Sequence, residues 1–170
     1  MTRLRDQGVA CSLPGIDPGC GVLQGPDLGA DLLLDDSMST RHITDIPGYP
    51  TPHSPYSHAV VANGFVFVSG QIAIRPGGGP TEIVGTTMQE QTRQAIRNVK
   101  AVLEEAGSSL DRVVKVTVLL ARPEMSKEMN EAYAEFFPGA KPARAIARLG
   151  VEIPGVLVSI EAIATVDGAR

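Results

Sequence analysis

The sequence predicts a single α+β domain, in which a mixed β-sheet carries two helices on one of its faces. Runs with an apolar residue at every second position alternate with two segments of three- and four-residue apolar spacing. Their order is strand–strand–helix–strand–helix–strand–strand. The 170 residues, 43% of them hydrophobic and 20% charged, have the size and composition of one globular domain. Helices on one face leave the other face uncovered, and a second subunit is the simplest cover.

The first two strands are predicted on either side of Asn63-Gly64. Apolar runs at 60–62 and 65–68 flank this pair, and Asn-Gly between β-rich runs is the strongest short-range hairpin signal. Three Gly and two Pro between residues 75 and 80 then predict a loop.

Two apolar stripes predict the helices. Thr87 and Glu90, at the start of the first stripe, have the spacing of a capping box, and Gly107 is a stop signal. The first stripe consists of Met88, Thr92, Ala95, Ile96, Val99, Val102, Leu103 and Ala106. The second, which ends before Pro138-Gly139, consists of Met125, Met129, Ala132, Tyr133 and Phe136. Three further strands are predicted at 113–120, 143–149 and 156–164.

The first 37 residues differ from the rest in composition. They hold six Gly, three Pro, six Asp and no aromatic residue, so they bury too little apolar surface to offset the entropy of ordering. We therefore predict a disordered extension over 1–37 and a single domain over 38–170. A start of translation at Met38 is an alternative interpretation of the same boundary.

The charge distribution argues against a nucleic-acid partner. The formal net charge of −4 comes from the extension, because residues 38–170 hold thirteen basic and thirteen acidic groups. Phosphate binding relies on clustered Lys and Arg, which a balanced body does not provide. No apolar run approaches the ~20 residues of a membrane span, and no secretory signal is evident, so we expect a cytoplasmic protein.

The sequence shows no metal or cofactor motif. Both cysteines, Cys11 and Cys20, lie in the extension, and His42, His53 and His58 do not have the spacing of zinc ligands. Neither a P-loop nor a dinucleotide-binding fingerprint is present. We expect no metal and no cofactor. A Ser–His nucleophile near His53 and His58 is weakly supported, because no acid nearby in sequence could orient it.

Glu161 is the first candidate for chemistry. It is a lone carboxylate in an apolar strand, so its burial would require a partner of opposite charge or a shifted ionisation. The preceding strand offers Arg144 and Arg148, which have the same facing, with Ile146 between them. Two interpretations stay open, a structural ion pair that supports a subunit interface and a functional pair in a binding site.

Two further candidates lie around the first hairpin. Tyr56 follows Pro55 at the mouth of the hairpin, where a ring usually packs and leaves its hydroxyl in water. Ser69-Gly70-Gln71 ends a strand with small and polar residues. Such a tripeptide either forms a turn or lets a ligand approach the backbone closely.

Several motifs, in order and spacing, resemble the Rid (YjgF) family over residues 43–166. In chain order they are SPYSHAV (54–60), VFVSGQI (66–72), QTRQ (91–94), NVKAVL (98–103), AGSSL (106–110), NEAY (130–133) with FF (136–137), KPAR (141–144) and IEAIA (160–164). Each motif alone is modest, whereas the ordered set is specific.

The resemblance implies a chorismate-mutase-like α+β subunit and a homotrimer with three clefts between neighbouring subunits. It also implies hydrolysis of reactive enamines and imines, of the 2-aminoacrylate and 2-iminopropanoate type, to 2-keto acids and ammonia. Arg144 takes the place of the family's carboxylate-binding arginine, and Tyr56 and Glu161 match positions that line the same cleft. Ser69, Gly70 and Gln71 belong to this expected binding site, as do Ala145 and Ile146.

Three positions depart from the family pattern. Ser54 stands where Gly often precedes the Pro-Tyr pair, and Ala145 and Ile146 stand where Ser and Cys commonly follow the arginine. These departures bear on substrate size more than on reaction type.

The chemistry expected from these residues needs few groups. Arg144 can hold a carboxylate with two parallel N–H bonds, Glu161 can orient or deprotonate a water, and Tyr56 can close the pocket. A non-catalytic metabolite-binding or regulatory module on the same trimer is the alternative. RNA cleavage is a third possibility, against which the balanced charge and the seven aromatic residues weigh.

Overall fold

A computed structural model describes residues 40–52, 54–79 and 81–166. The predicted extension over 1–37 lies outside the described residues, and so does His53. The domain boundary at residue 38 therefore stays a prediction.

A six-stranded mixed sheet forms the centre of the described chain. Its strands are β1 (Arg41–Ile43), β2 (Ala59–Ala62), β3 (Phe65–Gln71), β4 (Val113–Leu120), β5 (Ala143–Arg148) and β6 (Val158–Thr165). Their order across the sheet is β1-β2-β3-β6-β4-β5, and β4 and β5 are the parallel pair. The five predicted strands are confirmed with shifts of one or two residues at some ends. The three residues of β1 were not predicted, because so short a segment has no readable period.

The β2–β3 hairpin forms at the predicted turn. Asn63 has φ 49° and Gly64 has φ 75°, the two positive values that a type I′ turn requires. This turn pairs Ala62 with Phe65 and sets the antiparallel register of the hairpin. The pairing of β2 with β3 is therefore determined by the residues of the turn between them.

Two helices lie on one face of the sheet, α1 (Met88–Glu105) and α2 (Ser126–Ala134). The predicted capping box is confirmed, because Thr87 accepts a hydrogen bond from the Glu90 amide while the Glu90 carboxylate accepts one from the Thr87 amide. Gly107, with φ 81°, follows the end of α1. Helix α1 packs on β3 and β6, and α2 packs beside α1.

The hydrophobic core lies between the helices and this face of the sheet. Its fully buried large side chains include Met88, Ile96, Leu103, Leu120, Met129, Ile160, Val66, Val102, Val116, Val118 and Val158. The opposite face is open in the single chain, and Phe65 and Phe67 there are 40% and 44% exposed. An uncovered face with large apolar side chains matches the predicted arrangement.

Candidate functional site

The strand order places Arg144 and Glu161 on opposite faces of the sheet. Arg144 pairs in register with Val116, whose side chain is buried under the helices, whereas Glu161 pairs with Thr117 on the open face. Strand β4 also separates β5 from β6. As a contact within one chain, the ion pair predicted between Glu161 and Arg144 or Arg148 is therefore wrong. Glu161 is exposed, so the expected cost of burying it does not arise.

The guanidinium of Arg144 lies over an aromatic ring. Its guanidinium carbon is 4.6 Å from the ring centroid of Tyr133 on α2, and Tyr133 stacks in turn on Phe137, with centroids 4.6 Å apart. The three side chains line a cavity of about 350 Å³ together with Asn130 and Lys141. Among the described residues, no carboxylate forms an ion pair with Arg144. The guanidinium is held in orientation while its N–H groups stay free for an anion.

Tyr133 is buried and 7% exposed, and its hydroxyl has no hydrogen-bond partner among the described residues. Burial raises the pKa of this phenol, and the positive charge of Arg144 acts in the opposite direction. Tyr133 therefore stays neutral at physiological pH and presents an uncharged ring to the guanidinium.

Tyr56 and the Ser69-Gly70-Gln71 tripeptide come together in a second cavity of about 490 Å³. Tyr56 is 49% exposed at its rim. Ser69 donates its hydroxyl to the Ser57 carbonyl at 2.7 Å, and Gln71 donates its amide to the Ser69 carbonyl at 3.1 Å. Both side chains are hydrogen-bonded to backbone carbonyls, and Gly70 between them has no side chain. The tripeptide therefore lines this cavity partly with backbone.

The tripeptide is a β-bulge within β3 rather than the turn that sequence left open as an alternative. The β3–β6 register slips between Val68 and Gln71, so that Ser69 and Gly70 together lie opposite the Glu161 region. A Cβ on Gly70 would come within 2.7 Å of the Ser159 hydroxyl and 4.0 Å of the Glu161 Cγ. Glycine at position 70 therefore leaves open the space next to Ser159, and Glu161 lies beside the bulge.

Glu161 lines a third, shallow cavity of about 200 Å³ on the open face. Phe67, Lys115 and Thr117 lie around it. Ala145 belongs to the same row, because it pairs with Thr117, which pairs with Glu161. Ile146 lies on the Arg144 side of β5 and is 43% exposed.

His58 and Ser159 are pocket residues that the sequence analysis did not assign to the binding site, although it weighed His58 as a zinc ligand and as part of a Ser–His pair. Both are buried and line the Tyr56 cavity. The His58 ring lies edge-on to Tyr56, at 6.2 Å between centroids, and its Nε2 is 3.3 Å from the Pro50 carbonyl. Burial lowers the pKa of His58, although the Pro50 carbonyl and the charge of Asp45 act the other way. Ser159 could have been found from the alternation along β6, because it lies two residues before Glu161 and therefore on the same face of the sheet.

The single chain thus contains two separate groups of candidate residues. Tyr56, the bulge and Glu161 form one group, and Arg144 with Ile146 forms the other across the sheet. Asn130, Tyr133 and Lys141 join Arg144, and sequence reasoning missed them because their motifs looked like a helix stripe and a loop. In the described part of the chain, no group of three His, Cys, Asp or Glu side chains could hold a metal ion, and no helix could cross a membrane.

A family model described as Endoribonuclease L-PSP matches residues 48–166, more than half of the chain. Solved structures with the same fold carry the family names YjgF and Rid in their descriptions. The chain belongs to the YjgF/Rid family. The family resemblance drawn from the motifs is confirmed, and the two helices on a mixed sheet are the arrangement that its structural neighbours share.

Relatives of this Rid protein carry varied names. A RutC family protein of Pyrococcus horikoshii is 48% identical over 115 residues, which are 68% of this chain and 90% of that protein. Reactive Intermediate Deaminase A, a chloroplastic protein of Arabidopsis thaliana, is 32% identical over 173 residues, 96% of this chain and 90% of the relative. The organelle in that name shows that family membership does not fix the expected cytoplasmic location.

A solved structure similar to this Rid protein is that of TdcF from E. coli with bound serine. The two chains are 30% identical, with a TM-score of 0.65, and the match covers 74% of this chain and 98% of the other. Serine, like an imino acid, carries a carboxylate.

Proposed function

We propose that this protein hydrolyses reactive imino acids and their enamine tautomers to 2-keto acids and ammonia. One observation carries the proposal above others. Arg144 lines a cavity, lies over the Tyr133 ring, and has no carboxylate partner among the described residues. An arginine in that state is suited to bind the carboxylate of a small substrate through two parallel hydrogen bonds. The relative named Reactive Intermediate Deaminase A agrees with this reaction class.

We further propose that the site is completed between subunits of a homotrimer. The two groups of candidate residues lie on opposite faces of one sheet, so the two groups of a single chain do not contact the same small molecule. Strand β5 is exposed along its whole length at the sheet edge, and Phe65 and Phe67 are exposed on the open face. Such surfaces need cover. A neighbouring subunit would bring its Tyr56 and Gly70 to the Arg144 of this one.

The reaction would proceed in two steps. Arg144 fixes the carboxylate, and with it the carbon of the C=N bond. Water adds its oxygen to that carbon and gives up one proton, while the nitrogen gains one. The hydroxyl of the resulting carbinolamine then gives up its proton, the nitrogen gains one, and the C–N bond breaks, leaving ammonia and the keto acid. Glu161, across the bulge from Gly70, would accept the proton from water and return it to the departing nitrogen.

The first test removes the anchor. Arg144→Ala should abolish acceleration of imine hydrolysis, because no other described side chain in this cavity offers a planar pair of N–H donors to the carboxylate. The imine is generated in the assay by an amino-acid oxidase, and the rate of ammonia release is compared with and without the protein. Arg144→Lys keeps the charge but lacks the planar pair of donors, so we expect it to lose most of the activity. Full turnover by Arg144→Ala would remove the proposal.

The second test addresses the proton. Glu161→Gln keeps the shape of the side chain but cannot accept a proton, so kcat should fall by about 10²-fold or more. Binding of the keto-acid product should change little, which calorimetry measures. A variant that instead dissociates into monomers, as seen by light scattering, would make Glu161 a structural residue.

The description of the family model favours one competing function, cleavage of RNA. Residues 38–170 hold equal numbers of basic and acidic groups, so their net charge gives no general attraction for phosphates. The same purified protein therefore separates the two functions. We expect imine hydrolysis without RNA degradation, and an Arg144→Ala variant that degrades RNA as well as the wild type would place any ribonuclease activity elsewhere.

A further inference from the structure

The cavity at Arg144 contains a second cation. Lys141 also lines this space of about 350 Å³, three residues before Arg144 and on the loop that leads into β5. The other lining side chains of the described chain are all neutral. Lys141 is exposed and forms no ion pair with a described carboxylate.

Two cations around one cavity repel each other unless an anion lies between them. The repulsion between unit charges falls with distance, and a bound negative group converts it into two attractions. No described carboxylate forms an ion pair with Arg144 or Lys141, and the other side chains that line the cavity are neutral. An anion bound in this cavity would therefore meet two positive charges.

The two cations differ in what they bind well. Arg144 is planar, is fixed on the Tyr133 ring and presents a pair of parallel donors, which suits the α-carboxylate. Lys141 is a point charge on a flexible stem, which suits a second anionic group whose position varies with side-chain length. Pro142, between them, restricts the backbone and keeps Lys141 near the cavity rim.

We propose that this cavity selects dianionic substrates, the imines of amino acids with a side-chain carboxylate, with Arg144 on the α-carboxylate and Lys141 on the second one. The inference rests on the proposed deaminase function and names its substrate class. A single carboxylate shared by both cations is the competing arrangement, and it predicts no preference between ligands of one and two charges.

Binding of the keto-acid products tests the inference without requiring turnover. Calorimetry on the full chain compares 2-oxoglutarate with 2-oxobutanoate. We expect the dicarboxylate to bind about tenfold more tightly, the effect of one further charge-assisted contact. Lys141→Gln should abolish this preference, because it lowers the affinity for 2-oxoglutarate far more than that for 2-oxobutanoate, whereas Lys141→Arg should retain the preference. Lys127→Gln, which removes the same charge from an exposed position on α2, is the matched control.

Two results would overturn the inference. One is equal affinity of the wild type for both keto acids. The other is a loss of affinity for both ligands alike in Lys141→Gln, which would show that the cations share one carboxylate. The proposed function fails separately: a protein that prefers 2-oxoglutarate but does not accelerate hydrolysis of any imine is a dicarboxylate-binding protein rather than a deaminase.

Discussion

Gly70, in strand β3, has little space where a side chain would stand. A Cβ there would lie 2.7 Å from the Ser159 hydroxyl, closer than a methyl group tolerates. The bulge in β3 turns the chain at this point, so that two residues face one on β6. The open space beside Glu161 therefore depends on a single missing methyl group.

Gly70→Ala tests this crowding. We expect the variant to lose about 1–2 kcal/mol of unfolding free energy, because the added methyl group crowds the Ser159 hydroxyl. Denaturant unfolding measures the loss. The double variant Gly70→Ala with Ser159→Ala removes the oxygen that the methyl group meets, and should recover most of it. Equal losses in the single and double variants would locate the strain elsewhere.

His58 gives the protein a pH-dependent contribution to stability. Its neutral ring donates from Nε2 to the Pro50 carbonyl, which leaves a buried Nδ1 with no partner among the described residues. Burial lowers the pKa of His58 in the folded state, so the unfolded chain takes up the proton first as the pH falls. Stability from this group is complete above the unfolded pKa of about 6.5 and decreases below it, until the folded ring is protonated too.

The pH dependence can be isolated by substitution. Urea midpoints of the wild type should fall between pH 7.5 and pH 5.5 by more than those of His58→Gln, which does not titrate in that range (the two pH values are chosen about one unit on either side of the free imidazole pKa). Parallel midpoints in the two proteins would mean that His58 titrates in the folded state as it does in the unfolded chain.

At the scale of the element, helix α1 connects the core to the loops around the cavities. Gln91, buried on its first turns, donates to the carbonyls of Gly85 and Gly155 and accepts from the Leu157 amide at 2.9 Å. Asn98 similarly donates to the carbonyls of Ile72 and Ile74. The bonds of Asn98 hold irregular backbone in place next to the Tyr56 cavity, and those of Gln91 hold the segments around Gly85 and Gly155, which an apolar helix face could not do.

Gln91→Leu should be destabilising although leucine fills a similar volume. Three backbone groups lose their partner, and we expect a loss of about 2 kcal/mol of unfolding free energy, since the Gly155 carbonyl remains accessible to water. Gln89→Leu, on the same helix and outside the core, should change stability by less than about 0.5 kcal/mol. Similar losses in both variants would show that the helix, rather than the connection to the loops, is affected.

At the scale of the whole molecule, the open face of the sheet is the surface through which we expect subunits to assemble. Phe65 and Phe67 are 40% and 44% exposed there, beside the row that contains Glu161. Burial of such rings stabilises an interface by removing apolar area from water, at roughly 25 cal/mol per Å². Assembly through this face would also account for the positions of the two proposed functional residues, Glu161 and Arg144, on opposite sides of the sheet.

Phe67→Asp tests the assembly. A charge in the centre of a buried interface is costly, so the variant should run as a monomer where the wild type has the mass of three chains. Light scattering after size exclusion measures both, and Thr81→Asp, on an exposed loop, is the control with the same added charge. A monomeric wild type would contradict the proposed trimer, and a trimeric Phe67→Asp would move the interface to another surface.

The sequence by itself determined the elements of this protein, because their signals are local. The Asn63-Gly64 turn, the Thr87–Glu90 capping box and the apolar periods each depend on residues within a few positions of one another, and each is confirmed. The family also followed from sequence, since its motifs are short and ordered. Tyr56 and Gly70 were separate candidates in the sequence, and they line one cavity because the hairpin brings the segment before β2 next to the end of β3.

Only the tertiary structure decided which strand lies next to which. Period-two alternation indicates which residues of one strand point the same way. It does not indicate whether Arg144 and Glu161, on different strands, lie on the same face of the sheet, because that depends on the register between the strands. Insertion of β4 between β5 and β6 puts the two residues on opposite faces and joins Arg144 to Tyr133 and Lys141. Long-range pairing of this kind leaves no local pattern, and for that reason the division of the site could not be predicted from sequence.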